Sequence, residues 1–271
     1  MHFKSRAQGF SLVELAVVLV IVGLLAGGII TGRALIRASE LQSIARDLDR
    51  YTTAAFAFQN KYRYLPGDIP EATRYWGAQD ANPATCAAFL SGNPATGTET
   101  CDGDGNGQIS NDDFSGGSTA SWYEVWRAWQ HLSNAGFIDG KYTGVSDSSS
   151  GYTWGTAGVN APASKFNARM GFAFVWLQYR STAMLWVFPG EYGNILRVGA
   201  GDRMDESYLI SANDAWSLDT KMDDGFPGTG TLRTYLSTRR GSCSDSDDPT
   251  VSKWRMDRTD ERCNLLYITG L

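Results

Sequence analysis

The sequence predicts an α+β protein: one long N-terminal α-helix, membrane-spanning in its first half and amphipathic in its second, packed on an antiparallel β-sheet head with loop insertions. Three observations carry that prediction. Leu15 to Ile30 is an apolar run without a single charge. Beyond it, Leu41, Ile44, Leu48, Tyr51, Ala55, Phe58 and Tyr62 recur at alternating spacings of three and four, one stripe on a helix. After residue 64 the chain changes character, to glycine-rich turns between short apolar segments and one further helical pattern.

The first element opens with a short basic leader, residues 1–9, containing Lys4 and Arg6. Phe10 begins the apolar segment, and Glu14 is the one acid inside it. Leu15–Ile30 makes about 24 Å of helix and the run from Phe10 about 31 Å, enough for a hydrocarbon core of about 30 Å. We place the membrane span at residues 10–32. A carboxylate at this depth costs about 2.5–3.5 kcal/mol on insertion scales, so Glu14 calls for a partner. Charge bias does not orient the span, because Arg33 and Arg37 follow it as Lys4 and Arg6 precede it. The same helix is expected to continue to residue 63, where Pro66 and Gly67 forbid further turns. Arg46, Asp47, Asp49, Arg50 and Asn60 fall off the apolar stripe and are expected to face water. The first half of the helix would project from the globular part and the second half would be its spine.

The order Gly9, Phe10-Ser11-Leu12-Val13-Glu14-Leu15, then an apolar run resembles the N-terminus of the type IV pilin and type II secretion pseudopilin superfamily. The resemblance covers about the first sixty residues. It implies that a prepilin peptidase cuts after Gly9 and methylates the new amine on Phe10. It further implies that Glu14 meets the charged N-terminus of a neighbouring subunit and sets the register of a filament. The partners implied are other pilin or pseudopilin subunits, the peptidase and the bacterial inner membrane, with the head in the periplasm before assembly. Tip-capping members of that superfamily usually lack the acid matching Glu14, which speaks against that role here. Gly23, Gly27, Gly28 and Gly32 form two small-xxx-small pairs that let membrane helices approach closely. Gly27-Gly28 is also a place where the helix can unwind on packing, as in similar pilins. The competing reading of the whole segment is a signal anchor or a cleaved secretory signal, with Ala26-Gly27-Gly28 as the cleavage site.

The 271 residues allow one large domain or two small ones, and 42% hydrophobic content supports a packed core. Loss of residues 1–9 removes two of the 24 basic residues and none of the 29 acidic ones, taking the formal charge from −5 to −7. An acidic exported domain is a poor match for nucleic acid, and none is expected as a partner. Four cysteines, Cys86, Cys101, Cys243 and Cys263, form an even set behind an export segment, where disulfides are the default. Three connectivities are open. Cys86–Cys101 with Cys243–Cys263 is favoured because both loops are short.

The head, residues 64–271, begins with a loop and short turn over 64–77 and an irregular, ordered stretch over 78–120. A helix follows over 121–134, with Trp122, Val125, Trp126, Trp129 and Leu132 on one face and Asn134-Ala135-Gly136 as its end. Strands are expected over 137–143, 169–179, 182–188, 193–198 and 206–210. Ser211 caps a helix over 212–222, and weaker strands lie near 229–235 and 264–269. This head is larger than that of a typical major pilin, so the excess would be insertions.

Residues 102–113, DGDGNGQISNDD, follow the template of a twelve-residue calcium loop. Asp102, Asp104 and Asn106 occupy the first, third and fifth places, Gly107 the sharp sixth, Gln108 the seventh and Asp113 the twelfth. Hard oxygen ligands at that spacing wrap one Ca²⁺. The twelfth place holds Asp instead of Glu and no entering helix precedes the loop, so an isolated structural Ca²⁺ loop is expected, with affinity of about 10⁻⁴–10⁻³ M. The alternative is a string of Asx turns without a metal.

Nothing in the sequence assembles an active site. His131 is the lone histidine outside the leader, and no nucleophile elbow, HExxH or phosphate loop is present. The chain is therefore not read as an enzyme. Asp219 and Asp223 share a helix face and Asp224-Gly225 makes the exit turn. The stretches 129–138 and 219–225 are similar to segments of larger pilin-like proteins, with no role attached. The function expected is a structural subunit of a type IV pilus or secretion pseudopilus. The alternative is a minor pilin whose large head is a ligand-binding module for surfaces, sugar or DNA.

Overall fold

The first helix, α1, runs unbroken over Leu12–Tyr62 in the computed structural model, which describes residues 11–79, 97–109, 123–145, 155–178, 187–200, 210–236, 243–257 and 263–271. Its first turn is closed reciprocally. The Ser11 amide donates to Glu14 Oε2 at 2.8 Å and the Glu14 amide donates to Ser11 Oγ at 3.2 Å. This is a capping box, in which two orphan amides of a helix start are satisfied by side chains. The other end stops at Tyr62, where Arg63 takes a left-handed φ of 66° while its amide still donates to Gln59 O.

The chain divides into two compact units, Met1–Gln42 and Ser43–Leu271. Within the described part of the first, the apolar residues stand open: Leu12 is 86% exposed and Ile30 71%. The helix has the length and composition to cross a membrane.

The second unit is built on the amphipathic half of α1. Ile44, Leu48, Tyr51, Ala55 and Phe58 are buried, as their spacing predicts. Asp47 departs from expectation: it too is buried. Burial raises its pKa, and Arg50, Lys165 and Arg46 act against that rise. After the short α2, Ala72–Trp76, helix α3 spans Tyr123–Asn134. A four-stranded antiparallel sheet follows, in the order β1-β2-β4-β3, from β1 Met170–Leu177, β2 Gly193–Ala200, β3 Leu232–Arg233 and β4 Leu265–Ile268. β1 runs against β2 from Met170 opposite Ala200 to Leu177 opposite Gly193. β4 pairs with β2 on one side and β3 on the other.

Aromatic side chains join the three layers. Tyr51 of α1 meets Trp129 of α3 and Phe172 of β1 edge-on, at ring-centre distances of 5.0 and 5.1 Å. Trp129 in turn meets Phe174 at 4.8 Å. Such offset and edge-on pairs add to the area they bury.

Helix α4, Ala212–Met222, starts where expected, with Ser211 Oγ accepting the Asp214 amide. The stretch 137–143 is not a strand but a run of turns. Gly140 in its middle sits at φ 105°, outside the range of a regular strand. β3 is two residues long, and Val187 and Ile210 make single bridges, to Tyr235 and Cys263. Most of 182–188 and 206–210, and Trp122, lie outside the described residues. Cys243 and Cys263 form the disulfide favoured from the sequence. Cys101 is also disulfide-bonded, and Cys86 lies outside the described residues.

Candidate functional site

The N-terminal segment offers the first site. Gly9 and Phe10 lie outside the described residues. Glu14 stands in the first turn of α1, between apolar side chains that no described residue covers. Its carboxylate is held by Ser11, a local partner the sequence reading did not foresee although Ser-x-x-Glu is its signature. One oxygen is engaged there, and a carboxylate has further acceptor capacity for a second donor.

The second site is the loop at 102–109. It is laid against the head by its backbone. Gly103 N–H donates to Ile69 O at 2.8 Å and Gly105 N–H to Asp68 O at 2.9 Å. A Cβ on Gly103 would lie 2.3 Å from Asp68 C, so only glycine permits this approach. At the far end, Asn194 of β2 accepts the Ile109 amide at 2.8 Å and donates to Gly107 O at 3.1 Å. Ile109 is wholly buried.

The side chains arrange themselves differently from the linear template. Asp102 turns away to α2, where its carboxylate accepts the Thr73 amide at 2.8 Å and hydroxyl at 3.2 Å. Asp104 accepts both the backbone amide and the side-chain amide of Asn106, at 3.0 and 2.9 Å. Asn106 Oδ1 accepts the Gln108 amide, and Gln108 Oε1 is buried without a hydrogen-bond partner. Asp113 lies outside the described residues. Two acids from outside the loop come in instead. Asp68 and Glu124, both buried, bring carboxylate oxygens within 4.8 Å of one another and of Asp104. Asp68 also accepts the Asn106 and Gly107 amides, each at 2.9 Å, and Glu124 accepts the Asp104 amide at 3.1 Å. Burial pushes the Asp68 carboxyl up to about 7, the Gly107 amide works against this, and Asp104 beside it adds to the rise.

That donor set suits a hard cation. Oxygens about 2.3–2.6 Å from a shared Ca²⁺ lie up to about 5 Å apart, which the 4.8 Å limit on this trio satisfies. Sequence reasoning missed Asp68 and Glu124. Asp68 follows the helix-ending Pro66-Gly67, and Glu124 lies in the helix over 121–134, of which only the apolar face was singled out. The signal was there in part: the polar residues Glu124, Arg127, Gln130 and His131 follow a helical spacing, and all four are buried.

His131 is structural within this layer. Its Nδ1 accepts the Gly67 amide at 3.0 Å, which places its proton on Nε2, 2.8 Å from Thr100 Oγ1. Thr100 passes a hydrogen bond to Gln130 Oε1 at 2.7 Å. The ring lies against both Trp76 and Phe58, which also meet each other, with ring centres 5.2, 6.4 and 6.2 Å apart. Burial, reinforced by Arg127, holds its pKa down to about 3.

A second acidic group, Asp219, Asp223 and Asp224, also gathers within 4.8 Å. Asp219 is buried and accepts Trp254 Nε1 at 2.9 Å. Burial raises its carboxyl to about 7 despite that bond. Asp223 accepts the Leu232 amide at 3.0 Å and the Thr231 amide, and Asp224 accepts the Phe226 amide and the Thr229 hydroxyl. These bonds clasp the exit of α4 to β3.

A family model described as the prokaryotic N-terminal methylation motif matches residues 4–30. No curated protein and no solved structure matches the chain.

Proposed function

From the type IV pilin and pseudopilin signature that residues 4–30 carry, we propose that the chain is a structural subunit of a type IV pilus or secretion pseudopilus. The single observation behind this is the motif together with the uncovered apolar helix it opens, Leu12 to Ile30. A peptidase cuts after Gly9 and methylates Phe10. The trimmed chain is stored in the inner membrane by its apolar helix. On assembly, copies of that helix exchange lipid for one another, and Glu14 meets the N-terminal ammonium of an adjoining subunit. The Ser43–Leu271 unit then forms the surface of the filament. Nothing in this work asks for bond-making chemistry from the head.

Calcium is part of the same proposal, as a structural ion. Asp68, Asp104 and Glu124 would hold it, and it would supply the positive charge that three crowded carboxylates call for. Its role would be to fix the loop on the head.

The test is mass spectrometry of the mature N-terminus from the native host. The expected product begins at Phe10 and carries one added methyl group. A chain beginning near residue 29, or one retaining residues 1–9 when the host's own pilins are trimmed, overturns the reading.

A further inference from the structure

The segment 216–226 and the disulfide-closed segment 243–257 meet in a cleft of about 360 Å³ that the filament role leaves unused. That volume falls in the range of clefts that take small molecules, about 300–1,000 Å³. Its walls are unusually aromatic. Trp216 of α4 and Phe226 of the following turn are 42% and 49% exposed, while Trp254 lies beneath them, 5% exposed. Trp254 is fixed by its bond to the buried Asp219. None of the three rings is paired with another described aromatic ring, and Trp216 and Phe226 are the two that open to solvent.

Polar groups stand among the rings. The Asp224 carboxylate is held by the Phe226 amide at 2.8 Å and the Thr229 hydroxyl at 2.6 Å, so it is preset and still has acceptor capacity. Lys253 also lines the cleft. Trp216 Nε1 has no acceptor among the described residues. Between Asp224 and Phe226, Gly225 takes φ +82°, and a Cβ there would come within 3.3 Å of Thr220 Oγ1 and 4.0 Å of Trp216 Nε1. Glycine both allows the turn and keeps the mouth clear.

We propose that this cleft binds a sugar ring of a glycan. A pyranose has one face of C–H groups, which suits an exposed indole or phenyl ring, and an edge of hydroxyls that both donate and accept. The lining offers the complement: flat apolar rings, a carboxylate acceptor, and indole and ammonium donors. Charge narrows the choice further. One acid and one base line the cleft, a match for a neutral ligand. A cage for a quaternary ammonium would be opposed by Lys253, and an anion by Asp224. The inference stands apart from the filament reading, since it concerns a single head.

The experiment uses the full chain, purified in a polyoxyethylene detergent that carries no sugar, on an array of defined neutral oligosaccharides. Retention of at least one glycan class is expected. Trp216→Ala and Asp224→Asn should each weaken that binding about tenfold or more, Trp216→Ala with its melting temperature unchanged, while Tyr75→Ala on α2 leaves it intact. Phe226→Ala takes the place of Trp216→Ala should that variant melt early. An array without signal overturns the proposal. So does binding that survives both ring substitutions, or quenching of tryptophan fluorescence by choline and by no saccharide.

Discussion

Glu14 has one observed partner, Ser11, and one proposed, the ammonium of an adjoining subunit, and one substitution separates them. Its bond to the Ser11 amide is a helix cap, which glutamine can also make. Its proposed bond to an adjoining ammonium needs the negative charge. Glu14→Gln should therefore leave the start of α1 helical yet fail to enter filaments, while Glu14→Ala loses both. Electron microscopy of cells expressing each variant as sole subunit reads this out, and normal filaments from the glutamine variant would overturn the register role. His131 makes a second residue-scale case. Its pKa in the folded chain is held to about 3, below the unfolded value of about 6.5. Its stabilising contribution is thus fully present above about 6.5 and drains away as pH falls toward 3. Residues 1–9 contain the other histidine, His2, so the processed chain holds one imidazole. By NMR it should remain neutral from pH 8 down to about pH 4. A midpoint near 6.5 would mean that the Gly67–His131–Thr100–Gln130 chain of hydrogen bonds is not formed.

At the scale of elements, the loop at 102–109 and helix α3 explain each other. A helix whose apolar and polar faces are both buried needs a polar cover, and the loop supplies it with backbone amides and acids. The carboxylates that gather there repel one another unless a proton or a cation intervenes. A Ca²⁺ ion of about millimolar affinity, added at about ten times its Kd, stabilises the folded chain by about 1.4 kcal/mol. For a domain of this size that is a rise in melting temperature of about 3–6 °C. Asp104→Asn should abolish most of the rise. No rise at about 10 mM calcium, measured by differential scanning fluorimetry on the full chain, would remove the ion. The Cys243–Cys263 disulfide, with a sequence separation of 20, closes the segment that carries Lys253 and Trp254, and so holds one wall of the aromatic cleft in place.

At the scale of the whole molecule, the uncovered apolar helix of the first unit decides where the chain can exist. Leaving side chains such as Leu19, Leu24 and Ile30 in water costs about 1.5–3 kcal/mol each, and all three are exposed. Such a chain is stable in a bilayer or among copies of itself. Before assembly it should stay in the membrane pellet through an alkaline carbonate wash. Release into the supernatant as a monomer would contradict the anchoring of the subunit.

Processing motif, apolar span, amphipathic stripe and the Ser211 cap were all legible in the sequence. Each depends on residues within a few positions of one another, where helix period and capping chemistry act locally. That 170–177 and 193–200 form strands was legible too, although not that they pair directly with each other across the strand expected at 182–188. The burial of Asp47, the turns at 137–143 and the recruitment of Asp68 and Glu124 to Asp104 were not. Nor was the meeting of Trp216, Phe226 and Trp254 around one cleft. Those outcomes are decided where distant stretches of chain return to share a core, and a pattern of nearest neighbours holds no record of which stretches will meet.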